Sequence, residues 1–131
     1  MLTPALISRP GTEAAHQQAL FAWAALNSNL YPVLASKAFF AIKNEEKTGS
    51  VVIGAKSKAM GVKAGVADIF LAHPVGRYHG LFLEMKKPNG IQSSEQKQFA
   101  KDVFKTGYKY VIAYGWEDAK NLLVSYLNGC E

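Results

Sequence analysis

The chain has 131 residues, of which 49% are hydrophobic and 19% charged, so it fits one domain with a real core and is not a disordered polymer. Fifteen Lys plus Arg against ten Asp plus Glu leave +5 at neutral pH, which favours polyanionic partners without separating DNA, RNA and anionic membrane. The single cysteine, Cys130, excludes an intrachain disulfide framework, and no apolar run approaches the ~20 residues of a membrane span.

Residues 1–131 read as a single domain, with residues 1–11 an N-terminal arm ending at Pro10-Gly11. Thr3, Pro4, Ser8, Arg9 and Pro10 interrupt the basic-then-apolar order of a signal peptide, so a cytoplasmic location is expected. Thr12 is placed to cap an Ala-rich helix from Glu13 to about Asn27, with Leu20, Trp23, Ala24 and Asn27 on one side. Ala38–Lys43 reads as a strand, Asn44–Gly49 as a polar turn, Ser50–Ile53 as a short strand and Ala55–Met60 as a brief helix closed by Gly61. Val66–Ala72 and Gly80–Lys86 form two strands of a hairpin, ended by Pro88-Asn89-Gly90. Ser93 and Gln96 have capping-box spacing and start a helix that reaches about Thr106. A strand at Tyr108–Ala113 and a helix at Glu117–Asn128 complete the chain. The order predicts an α/β fold, a mixed sheet flanked by helices.

The chemistry concentrates in the hairpin. Asp68 enters its first strand, and Glu84 interrupts the apolar run Leu81-Phe82-Leu83 with Lys86 two residues on. Side chains two apart on a strand share a face, so Glu84 and Lys86 project together. If the hairpin pairs near its centre, Asp68 approaches Glu84 from the partner strand. Two carboxylates suit a hard cation such as Mg²⁺ (or Mn²⁺), and the backbone carbonyl of Met85 is a further oxygen donor. A cation so held neutralises phosphoryl charge and activates water, while a lysine beside it orients the nucleophile or offsets developing charge. The plainer reading of any D…ExK is a cross-strand ion pair that solvates a sheet edge. Against it, Glu84 lies in a strongly apolar strand, where an uncompensated carboxylate is costly.

These residues resemble the virus-type replication-repair nuclease (VRR-NUC) domain of the PD-(D/E)xK superfamily. The resemblance runs through Gly61–Asp68, Gly80–Lys86, Ser93–Gln96 and Gly107-Tyr108, and more loosely through Glu13–Trp23 and Ala119–Leu127. Ala67 stands where the family usually has proline before the aspartate. The resemblance implies a restriction-endonuclease-like mixed β-sheet flanked by α-helices. It also implies metal-dependent DNA cleavage, with Asp68 and Glu84 as metal ligands and Lys86 as the catalytic lysine. Glu13 matches a first-helix glutamate often placed near the metal, although it is also a favourable first-turn residue. Gln96 matches the glutamine of the helix after the catalytic strand, acting behind the ligands, unless it is only the capping-box partner.

Lys56, Lys58 and Lys63, interleaved with Gly54, Gly61 and Gly65, lead directly into Asp68 and are expected to meet phosphates, as is Lys87. Lys97, Lys101 and Lys105 form a basic stripe that is equally an ordinary solvated helix face. His16, His73 and His79 lack the convergence of a zinc site. No zinc-finger, helix-turn-helix or stacking motif appears, so the backbone of DNA, rather than its sequence, is the expected target. The leading expectation is a homodimeric endonuclease of phage or mobile-element origin, acting on four-way (Holliday) junctions or other branched DNA and leaving 5′-phosphates. The alternatives are a relatively nonspecific phage DNA-trimming nuclease and a non-catalytic basic subunit that binds nucleic acid. No membrane partner is expected.

Overall fold

The computed structural model describes residues 2–43 and 54–129. Within them the helices are α1 (Pro4–Ile7), α2 (Glu13–Leu26), α3 (Ala55–Ala59), α4 (Ser94–Lys105) and α5 (Trp116–Leu127). The strands β1 (Phe39–Ala41), β2 (Ile69–Leu71), β3 (Leu81–Lys86) and β4 (Lys109–Tyr114) form a sheet in the order β1-β2-β3-β4. The first three run antiparallel in succession, and β4 is parallel to β3. A hairpin suffices for β2–β3, whereas the parallel neighbour needs a crossover, which α4 supplies.

Strand alternation divides the sheet into two unlike faces. Phe39, Ile69, Leu71, Leu81, Leu83, Met85 and Ala113 are buried on one face against Leu20 and Ala24 of α2 and Ala119, Leu123 and Tyr126 of α5. The other face carries an aromatic row beneath α4. Phe70 stacks on Phe82 at 4.4 Å between centroids, and Phe82 meets the edge of Phe99 from α4 at 5.0 Å. Aromatic pairs of this kind contribute ~0.5–1.5 kcal/mol beyond their buried area. Glu84 and Lys86 emerge on this second face, continuing the line of Phe82.

The predicted caps are present. Thr12 Oγ1 accepts from the Ala15 N–H at 3.0 Å. Ser93 Oγ accepts from the Gln96 N–H while Gln96 Oε1 accepts from the Ser93 N–H, a closed capping box. Two readings change. The arm contains the short helix α1, because Thr3 Oγ1 caps Leu6 N–H and Pro4 occupies a first-turn position whose N–H would go unused. The strands expected over Ala38–Lys43 and Val66–Ala72 contract together to Phe39–Ala41 and Ile69–Leu71, because the ladder between them pairs only these three residues on each side. The expected turn Asn44–Gly49 and strand Ser50–Ile53 lie outside the described residues, as does Cys130. Among the described residues no helix is long and apolar enough to cross a membrane.

Candidate active site

The β2–β3 register pairs Ile69 with Leu83, so one step further Asp68 stands opposite Glu84. Directly opposed residues share a face with Cβ atoms ~4.5–5.5 Å apart. Both carboxylates are buried, Asp68 at 4% and Glu84 at 3% exposure. Asp68 is held from behind: its Oδ2 accepts the Met85 N–H at 2.8 Å, and its carbonyl accepts the Ile42 N–H at 2.7 Å. The aspartate thus bridges the strands on either side of it. Glu84 Oε1 is buried and accepts no hydrogen bond from the described residues, while the residue as a whole is engaged.

Lys86 follows on the same face as Glu84 and is partly buried. Its backbone is fixed where its carbonyl accepts the Gly115 N–H at 3.1 Å. Its stem lies under the turn Lys87–Gly90: a Cβ on Gly90 would sit 3.2 Å from Lys86 Cβ and 3.3 Å from its Cδ. Glycine at 90 and the left-handed Asn89 (φ 68°) allow the chain to fold back over that stem. Met85 sends its side chain into the core and its N–H to Asp68.

Two close approaches fix the flanks. A Cβ on Gly65 would stand 2.4 Å from the Glu95 carbonyl, so the loop entering Asp68 is pressed on the first turn of α4. At the far end of β3, His16 Nδ1 on α2 accepts the Trp116 N–H at 3.0 Å, capping α5 where Gly115 has no side chain to do so. Asp118 Oδ2 meanwhile accepts the Tyr114 N–H at 2.9 Å.

The supporting residues separate. Gln96 is committed to its capping box. Glu13 is partly buried in the first turn of α2, and among the described residues no three His, Cys, Asp or Glu converge, so it does not extend the pair to a triad. Lys56, Lys58, Lys63 and Lys87 are exposed on either side of the site in sequence, and Lys97, Lys101 and Lys105 are exposed along α4. His73 lends its carbonyl to the Tyr126 hydroxyl, and His79 packs over Gly107.

Tyr110 and Tyr114 were not foreseen. In the parallel β3–β4 register Phe82, Glu84 and Lys86 face Tyr110, Ile112 and Tyr114 respectively, so both phenols share the acidic face. Burial pushes the Tyr110 hydroxyl up to about 12, and the negative charges of Glu84 and Asp68 add to the shift, against a lowering by Gln92. Gln92 Nε2 donates to Tyr110 Oη at 3.3 Å. The alternation of Tyr108, Tyr110, Ile112 and Tyr114 marks a strand face, but only the parallel register reveals what that face meets.

The donor set fits a hard divalent cation. Two carboxylates from neighbouring strands, both withdrawn from water, offer oxygen ligands on one face, and a cation offsets the cost of burying them together.

No family model and no curated protein matches the chain. Among solved structures, one described as "VRR_NUC domain protein" is similar to it with a TM-score of 0.74 and 27% identity, over 92% of this chain and 91% of that one.

Proposed function

We propose that this chain, which has a VRR-NUC-like fold, is a divalent-metal-dependent nuclease that hydrolyses DNA phosphodiester bonds with Asp68, Glu84 and Lys86. The observation that carries the reading is the opposed, buried pair Asp68–Glu84 with Lys86 on the same face, within a fold shared with a VRR-NUC domain protein.

Asp68 and Glu84 would hold Mg²⁺ or Mn²⁺, with the Met85 carbonyl as a further oxygen donor. When bound, the cation lowers the charge barrier at the phosphate and makes a water ligand more acidic. Asp68 is held in place by the Met85 N–H, which donates to its Oδ2. Lys86 sits one strand step beyond Glu84, its stem held under the Gly90 turn. Its ammonium group orients the attacking water or offsets charge on the phosphoryl oxygens. Lys56, Lys58, Lys63 and Lys87 supply sequence-independent contacts to the DNA backbone.

The preferred substrate is a four-way junction or other branched DNA cut by a homodimer, because a two-fold pair of active sites matches a two-fold substrate. Labelled duplex, flap and mobile junction substrates, incubated with wild type and Lys86→Ala in Mg²⁺ or Mn²⁺, test this. Paired symmetric cuts that vanish in the variant while binding persists support it. Scattered cuts on plain duplex replace it with a trimming nuclease. DNA binding without metal-dependent cleavage replaces it with a non-catalytic subunit.

A further inference from the structure

The acid pair has neighbours in both directions along the strands. One step toward the C-terminal end of β3 are Lys86 and Tyr114, and one step the other way are Phe82 and Tyr110. Tyr110 is therefore diagonal to Glu84 on the same face, a separation that a phenol spans easily. Its hydroxyl is close enough to both carboxylates to feel their charge, and it accepts a hydrogen bond from Gln92. Tyr110 also has a fixed ring, meeting Phe99 of α4 edge-on at 6.1 Å.

A phenol has one proton and two lone pairs. Gln92 Nε2 donates to the oxygen, and that contact turns the remaining O–H away from Gln92. Gln92 itself is partly buried and immediately precedes the capping box, so its backbone is anchored. The result is a neutral donor mounted on a strand, where a loop residue would have been less sharply placed. Neutrality matters beside two carboxylates, because a phenolate there would repel any phosphate.

We propose that Tyr110, aimed by Gln92, is a substrate-contacting residue whose O–H donates to an oxygen of the phosphate seated at the Asp68–Glu84 pair, on the side opposite Lys86. The inference rests on the nuclease reading of that pair and adds a specificity for the phosphate that neither acid provides. Lys86 and Tyr110 then flank the phosphate from the two neighbouring rows of the sheet, one with a charge and the other with a directional hydrogen bond.

The test compares wild type, Tyr110→Phe and Gln92→Leu. The probes are a single-stranded oligonucleotide with ordinary phosphodiester linkages and its twin with an uncharged methylphosphonate at every linkage, titrated in Ca²⁺ to suppress cleavage. Wild type is expected to favour the phosphodiester probe, with about tenfold of that preference due to Tyr110, the worth of one hydrogen bond to a charged group. Both variants should lose about that tenfold and bind the methylphosphonate twin as wild type does. In Mg²⁺ the Tyr110→Phe variant should lose roughly 10- to 100-fold in kcat/KM, as for a donor that contacts the phosphate in the bound substrate and in the transition state. Calorimetric Mn²⁺ affinity should be unchanged in both variants, which a merely structural role for the ring would not guarantee. A Tyr110→Phe protein that keeps the full phosphodiester preference overturns the inference and leaves the nuclease intact. If Tyr110→Phe fails to fold, retention of the full preference by Gln92→Leu overturns it equally. Wild type that neither cleaves DNA nor binds Mn²⁺ overturns both.

Discussion

Replacing Glu84 by Gln should make the metal-free protein more stable while abolishing its activity. Asp68 and Glu84 are opposed across β2–β3 and are 4% and 3% exposed. Two like charges ~5 Å apart interact by roughly 3 kcal/mol at an effective dielectric constant of about 20. Gln is nearly isosteric, keeps one carbonyl oxygen in place of Oε1 or Oε2, and brings an N–H₂ group that can donate to Asp68. Glu84 has other interactions that Gln reproduces only in part, so the net gain is smaller, about 1–2 kcal/mol after that discount. For a chain of this size, such a gain raises Tm by roughly 3–10 °C. Calorimetric melts in EDTA and in excess Mn²⁺ provide the assay. Wild type should melt below the variant in EDTA and then rise with Mn²⁺, by the equivalent of ~2.7 kcal/mol at a hundredfold excess over Kd. The variant should not respond. A Glu84→Gln protein that melts below wild type in EDTA, or that still shifts with Mn²⁺, would refute the claim that these carboxylates are held together at a cost relieved by a cation.

Four other variants follow from the geometry. Gly65→Ala forces a Cβ into the Glu95 backbone at φ +85° and should cost about 2–4 kcal/mol, combining left-handed strain with a shift of the first turn of α4; a denaturant midpoint near wild type would show that the loop undocks freely. Ser93→Ala opens the capping box and should cost ~1 kcal/mol, measurable by urea titration with an unchanged m-value. Tyr110 loses its proton near pH 10 when unfolded and near 12 when folded. Its contribution is therefore fully present below pH 10 and lost as pH rises toward 12. Alkaline melts should show a steeper fall in wild type than in Tyr110→Phe, with the phenolate absorbance of the folded protein appearing late. Lys56→Gln, Lys58→Gln and Lys63→Gln combined should weaken binding to all DNA shapes alike and flatten the log Kd against log salt slope by about 2–3 units; an unchanged slope would remove these lysines from the interface.

Local signals were the ones legible from the sequence. Thr12 and Ser93 announce their helices because a cap acts within three residues, and both bonds are present. The Asp68–Glu84 opposition was legible because strand alternation is a two-residue rule and a hairpin leaves few registers. The helix α1 was obscured by Pro10-Gly11, although Thr3-Pro4 carries its own start signal. What the chain order conceals is contact between distant segments. His16 caps α5 a hundred residues away, and no pattern around His16 distinguishes that from a solvated helix position. Tyr110 reads as an ordinary strand aromatic until β4 is known to run parallel to β3 and one row from the acids. Gln96 shows the opposite case, since its local role in the capping box is visible and suffices to explain its placement.

The site is also a closed mechanical loop. Asp68 is tied to β3 through the Met85 N–H. From β3 the chain passes under Gly90 and over the Lys86 stem, then through Gln92 into the Ser93 cap. The first turn of α4 in turn presses on Gly65, which leads back to Asp68. Asp68 is therefore held by β3 on one side and, through Gly65, by the first turn of α4 on the other. Holding two buried like charges at fixed separation demands such closure, because an open loop would relax by rotating one carboxylate toward water. The glycines at 65 and 90 are the points where the circuit closes at backbone contact distance, and there a side chain would break it without touching either acid.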